Sequence, residues 1–166
     1  MNTDASSLPG EMLRQAMRRW VAGVTVVTAR HDARRYGMTV NSFSSVSLDP
    51  PVVTVTLANT THTRALVEAS GRFGVNILRE EQQEISDIFA GRVPEHGDRF
   101  AGLDWFTLAS EVPFLSGCLA ALDCRVIHHY AMPNSTLYVG QVEAVQLGEE
   151  GRGLVYFNRA YHRGCG

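Results

Sequence analysis

The stretch Gly37-Met38-Thr39-Val40-Asn41-Ser42-Phe43-Ser44-Ser45-Val46-Ser47-Leu48-Asp49-Pro50-Pro51 decides how the chain reads. Thr39, Asn41, Ser42, Ser44, Ser45 and Ser47 crowd its centre, interrupted only by Val40, Phe43 and Val46. That is too polar for a buried strand and too regularly studded with apolar groups for a casual linker. It reads as a loop, entered from a strand over 36–40. Asp49-Pro50-Pro51 ends the loop, because a residue before proline is pushed to extended geometry. Val52-Val53-Thr54-Val55-Thr56-Leu57 then follows as a central strand dense in branched side chains.

Working outward, Val24-Thr25-Val26-Val27-Thr28 is a second strand of the same character, turned back through residues 31–34. Before it, Met12, Leu13, Ala16, Met17, Trp20 and Val21 recur at helical spacing, with Gly23 as the stop. Arg14, Arg18 and Arg19 mark the polar side of this opening helix. Beyond the central strand, the spacing predicts a short helix over 63–69 closed by Gly71. A strand over 73–78 comes next, then a helix around Ile85, Ile88 and Phe89. The segment 92–103 reads as a loop broken by Pro94, Gly97 and Gly102. Strands over 119–127, 136–147 and 154–157 complete a count of at least seven strands and three helices. Short hairpin links early and late fit a mainly antiparallel β-barrel with helices packed outside it. With no repeat, low-complexity tract or long linker, residues 1–166 read as one domain.

Composition removes several classes of function. The net charge is −2, from 15 basic and 17 acidic residues, so nucleic acid and acidic membranes are not expected partners. The start is polar and small, unlike a secretory leader, and no apolar run is long enough to cross a bilayer. A cytoplasmic location is expected. Cys118, Cys124 and Cys165 are an odd set for a disulfide framework. Cys118 and Cys124, six apart in an apolar stretch, share a face if both lie on a strand. Zinc pairs are usually tighter, so buried thiols rather than metal ligands are expected.

The 39–47 loop has two readings. Its hydroxyls, amide and backbone N–H groups suit a planar ligand rich in carbonyls and ring nitrogens, such as a flavin. A Ser-rich turn capping its own backbone has the same composition. Asn59-Thr60-Thr61-His62-Thr63 is equally double. Thr61 or Thr63 suits a helix N-cap, and a hydroxyl-rich helix start also receives anions, with His62 and Arg64 adding charge. Neither a G-x-G-x-x-G turn nor a Walker loop is present.

Five further pieces keep order and spacing with that loop. They are Gly23-Val24-Thr25-Val26-Val27-Thr28, Phe73-Gly74-Val75-Asn76-Ile77-Leu78, Phe89-Ala90-Gly91, Arg99-Phe100, and Leu154-Val155-Tyr156-Phe157 with Tyr161-His162-Arg163. Together they resemble the short-chain flavin reductases, reductase components of two-component flavin monooxygenases of the 4-hydroxyphenylacetate 3-monooxygenase type. The resemblance implies a Greek-key FMN-binding split barrel with peripheral helices, as a homodimer with flavin near the subunit interface. It implies that Thr39, Val40, Asn41, Ser42, Ser45, Val46 and Ser47 contact the flavin ring and ribityl chain. Asn59, Thr61 and Thr63 would meet the phosphate, and Asn76 and Arg99 would add to the pocket wall. The implied reaction is hydride transfer from NADH or NADPH to FMN or FAD, with reduced flavin passing to a monooxygenase. No proton donor is needed in the hydride step, so no catalytic triad is sought.

One position departs from the resemblance. Many relatives carry a histidine at the place of Ser135, on the nicotinamide side; serine hydrogen-bonds but carries no charge. His162 is the better candidate for that side, and His128 and His129 read as surface residues at a strand end. Two other functions therefore stay open: a flavin-binding protein without reductase activity, and a flavin held as a prosthetic group for another redox reaction.

Overall fold

The structure is a computed structural model that describes residues 8–94 and 97–164. Helix α1 (Leu8–Met17) leads into β1 (Ala22–Gly23), β2 (Thr25–His31), β3 (Arg34–Val40), β4 (Ser44–Leu48) and β5 (Pro51–Ala58). Helix α2 (His62–Ser70), β6 (Arg72–Ile77), a 3-10 turn (Glu80–Gln82) and α3 (Gln83–Phe89) follow. The remainder is β7 (Trp105–Phe106), β8 (Phe114–Leu115), β9 (Ala120–Ala131), β10 (Ser135–Leu147), β11 (Leu154–Phe157) and β12 (Ala160–Arg163).

Seven strands pair in the order β3-β2-β6-β9-β10-β5-β4, every pairing antiparallel. Laid flat, the outer strands of such a sheet would stand about 29 Å apart, at about 4.8 Å per strand. Those outer strands, β3 and β4, are joined by residues 41–43 alone, and that link spans at most about 14 Å. The sheet has to curl until its edges meet, giving a barrel that is mainly β and split between β3 and β4. The 39–51 stretch decides the fold for this reason.

Val27, Val55, Leu57, Val67, Phe73, Val75 and Tyr138 fill the barrel, and α2 closes one side on its way from β5 to β6. A second cluster around Val26, Leu78, Phe89 and Phe100 lies under α3. The three-stranded sheet β1-β11-β12 stands beside it. Gly37 lets α3 sit close on β3, since a Cβ there would fall 2.8 Å from the Phe89 ring.

Several expectations change. The 39–47 segment is not one loop: Thr39 and Val40 end β3, and Ser44 onward forms edge strand β4. An edge strand with one unpaired side tolerates polar residues that a central strand would not. The opening helix stops at Met17, short of the Gly23 expected, and continues as turns through Trp20. Its apolar residues are little covered among the described residues: Met12, Leu13 and Trp20 are more than 60% exposed. Strands β7, β8 and β12 were not foreseen, and His128 and His129 lie within β9 rather than at its end, both exposed. Cys118 precedes β9 and joins a different buried cluster from Cys124, so the two do not share a face. Both are free thiols; Cys165 lies outside the described residues.

Candidate functional site at the barrel split

The turn between β3 and β4 is fixed by its own polar groups. The Ser42 hydroxyl donates to the Thr56 carbonyl (3.0 Å) and accepts the Thr56 N–H (3.1 Å), pinning the turn to β5. The Thr39 hydroxyl donates to the Ser86 carbonyl in α3 (2.7 Å). Val40 is buried against β2. These three shape the site. The groups left for a ligand are the exposed Asn41 amide, the exposed Ser45 and Val46, and Ser47. Among the described residues, strand β4 pairs only with β5, with a register shift between Ser45 and Ser47. Its outer edge therefore presents unpaired backbone N–H and C=O groups beside the Asn41 turn.

Two adjoining cavities meet at Asn41 and Tyr156. The smaller, about 180 Å³, is lined by Thr39, Asn41, Arg92, Tyr156 and Tyr161, among others. The Tyr161 hydroxyl is 2.7 Å from that of Ser86, and Arg92 lies over both tyrosine rings, 5.8 and 5.0 Å from their centroids. Burial pushes the Tyr161 phenol up, so it stays protonated despite the Ser86 bond and the neighbouring Arg92 charge. Burial disfavours the Arg92 charge, but its bond to Asp87 (2.9 Å) and the nearby tyrosines outweigh this and raise its pKa. Sequence reasoning missed Arg92, Tyr156 and Tyr161. The period-two alternation of β12 was the available signal, because it sends Tyr161 and His162 to opposite faces.

The larger cavity, about 640 Å³, is bounded by α1, by residues 41–44 and by the β11–β12 turn. Its volume lies within the range of roughly 300–1,000 Å³ usual for small-molecule sites.

A second cluster sits at the end of β5. Ser135 opens β10 opposite Ala58. Asn59 staples the 132–134 turn: its amide nitrogen donates to the Met132 carbonyl (2.9 Å) and to that of Pro133 (3.3 Å), and its amide oxygen accepts from Thr136 (2.7 Å). Thr61 is the α2 N-cap, donating to the Ala58 carbonyl (2.8 Å) and accepting the Arg64 N–H (3.3 Å). Thr63 is turned inward and buried. The side chains expected at a phosphate are thus spent on the fold, and the turn offers the unpaired first N–H groups of α2. His62 stacks on Tyr36, ring centroids 4.7 Å apart.

The two expected wall residues, Asn76 and Arg99, and the nicotinamide-side candidate His162 are not among the residues lining either cavity. Asn76 is fully buried, donating to the Val26 carbonyl (3.0 Å) and accepting the Leu115 N–H (2.8 Å); it ties β8 to the barrel. Arg99 donates to the carbonyls of Gly37 (3.3 Å) and Phe89 (3.2 Å), locking the end of α3 to β3. His162 is exposed on β12 and packs edge-on against Phe157 at 6.0 Å.

Residues 17–164 match the flavin reductase like domain family. The chain is 40% identical over 153 residues to the reductase component of 4-hydroxyphenylacetate 3-monooxygenase from Thermus thermophilus, covering 92% of this chain and 95% of that protein. It is 33% identical to an FMN reductase (NADH) of Ancylobacter novellus, covering 99% and 92%. Among solved structures, the NADH:FAD oxidoreductase of Streptomyces globisporus superposes with a TM-score of 0.87 at 27% identity, covering 100% and 97%.

Proposed function

Because the chain belongs to the flavin reductase like domain family, we propose that it is an NAD(P)H-dependent flavin reductase. Reduced FMN or FAD made at the barrel split would pass to a partner monooxygenase. The observation that carries this reading is the split itself: an unpaired β4 edge and a free Asn41 amide beside a cavity large enough for a nucleotide. The edge groups suit the carbonyls and nitrogens of an isoalloxazine. A flavin supplies the hydride acceptor. The chain's residues orient and enclose it: Asn41 and the β4 edge fix the ring plane, while Tyr161 and Arg92 wall the adjoining cavity against water. NADH is the preferred donor on this reading, following the names of relatives of both flavin types. The protein acts as a single-domain, cytoplasmic homodimer. The apolar side of α1 and the β4 edge, where Leu48 is 88% exposed, are the surfaces a second copy would cover.

Ser135 favours a second reading, flavin binding without reduction. His128 and His129 pair with Val139 and Tyr138 further along β10, not with Ser135. Mixing the purified protein with FMN or FAD and NADH or NADPH, and following the nicotinamide absorbance band, separates the two. Oxidation above the protein-free rate is expected. Tight flavin binding with no such oxidation overturns the reductase reading in favour of the second.

A further inference from the structure

The larger cavity is more basic and more aromatic than a flavin ring requires. Arg14, Arg18 and Arg159 line it, together with Trp20 and Tyr156, and among the described residues no carboxylate does. Arg14 is paired with Glu11 at 2.7 Å, outside the lining. Arg18 is not fully satisfied: its Nε is shut off from solvent and has no hydrogen-bond partner among the described residues. Trp20 leaves 65% of its surface exposed.

The backbone at Arg159 is the second observation. Asn158 and Arg159 join β11 to β12 in a two-residue turn with φ of 48° and 65°. Such a turn favours Asn at its first position and Gly at its second. A long side chain held in the left-handed region costs conformational energy, and such strain tends to persist where function requires it. Here the strained residue lines the cavity.

The paired chemistry is anion plus aromatic base. Two guanidinium groups without acid partners among the described residues suit adjacent phosphates, which arginine grips with charge-assisted bonds. An exposed indole offers a stacking face for a heterocycle. We propose that Arg18, Trp20 and Arg159 form a shelf for the adenosine diphosphate half of a dinucleotide, next to the ring site at Asn41. The proposal rests on the flavin reductase reading and deepens it. FAD and the nicotinamide dinucleotides both carry this half, so either can be the occupant.

The experiment is calorimetric titration of the full protein with ADP, and with FMN in parallel. Saturable ADP binding is expected, weakened about tenfold or more by Arg159→Gly, as loss of a charge-assisted bond implies. Glycine is at ease in the left-handed turn, so this variant is expected to fold. Arg18→Gln provides an independent second loss. FMN affinity should change far less than ADP affinity in both variants. If FAD is the occupant, Arg159→Gly brings FAD affinity down toward that of FMN. If the nicotinamide dinucleotide is, the KM for NADH rises while that for reduced nicotinamide mononucleotide does not. Absence of ADP binding, or equal ADP binding in wild type and both variants, overturns the shelf. Failure of FMN to bind overturns the parent reading instead, and the ADP titration is read separately from it.

Discussion

The barrel interior and the flank formed by α1, β4 and the β11–β12 turn treat polar and apolar groups in opposite ways. Inside, the buried amide and carboxylate are satisfied: Asn76 uses both ends of its amide, and the Asp123 carboxylate accepts from the Ser110 N–H (2.7 Å) and hydroxyl (2.8 Å), while the buried Tyr138 hydroxyl is an exception with no partner among the described residues. On the flank, Arg18 Nε has no partner among the described residues, and Met12, Leu13, Trp20, Val46 and Leu48 are exposed. The apolar interior is closed within a single chain. The flank has the composition of an interior with something missing, and large exposed apolar patches of that kind mark interaction surfaces. A ligand and a second copy are what the proposed function supplies there.

The sharpest way to break this contrast is to damage the interior. Asn76→Ala would strand the buried Leu115 N–H and remove a second bond from the Val26 carbonyl, which keeps its place in the β2–β6 ladder. An unsatisfied buried donor costs about 1–3 kcal/mol and a lost hydrogen bond about 1 kcal/mol, so a loss of about 3 kcal/mol is expected in urea unfolding. A loss under about 1 kcal/mol would mean that water reaches this part of the barrel.

The flank should answer differently. Leu13→Asp combined with Leu48→Asp, both residues well exposed in the single chain, should leave unfolding of the monomer within about 0.5 kcal/mol of wild type. Self-association should weaken by about a hundredfold, equivalent to about 2–3 kcal/mol, visible as a monomer in sedimentation. Unchanged dimers would move the interface elsewhere on the molecule.

The same contrast explains what the sequence made legible. Strands in the interior announced themselves, because Val24-Thr25-Val26-Val27-Thr28 and Val52-Val53-Thr54-Val55-Thr56-Leu57 need branched residues on a packed surface. The α2 boundaries were readable from Thr61 and Gly71, which do cap it, the latter at φ 68°. The site was half legible. Its location at 39–47 follows from polar density, but the division of labour does not. Ser42 and Asn41 are neighbours with similar chemistry, yet one is bonded to β5 and the other is exposed. Only the curl of the sheet decides which. Asn76 was misjudged for the same reason, since an amide that closes a barrel and one that holds a ligand look alike in sequence. Tyr161 was overlooked beside His162 because β12, four residues long, was not read as a strand, so the alternation that sends the two to opposite faces was not applied.

The loop after α3 tests where the interior ends. Arg35 is ion-paired with Asp98 and lies over the rings of Trp105 and Phe100, 4.6 and 5.2 Å from their centroids. The Arg35 bond holds the Asp98 carboxyl below its usual pKa, aided by the Phe100 N–H and opposed by partial burial. A depressed carboxylate adds stability above its unfolded pKa of about 3.9, and that contribution fades as pH falls through the lower folded value. Asp98→Asn can keep the Phe100 N–H bond through its amide oxygen and lose only the charge. Asp98 is 40% exposed, so solvent screens the pair and the cost at neutral pH should be a few tenths of a kcal/mol. The gap between wild type and variant should close as pH drops below about 4, and shrink in high salt at neutral pH. A gap that persists in acid would show that the amide does not reproduce the Phe100 N–H bond and that this bond, rather than the charge, is what Asp98 contributes, placing this loop with the self-satisfied interior.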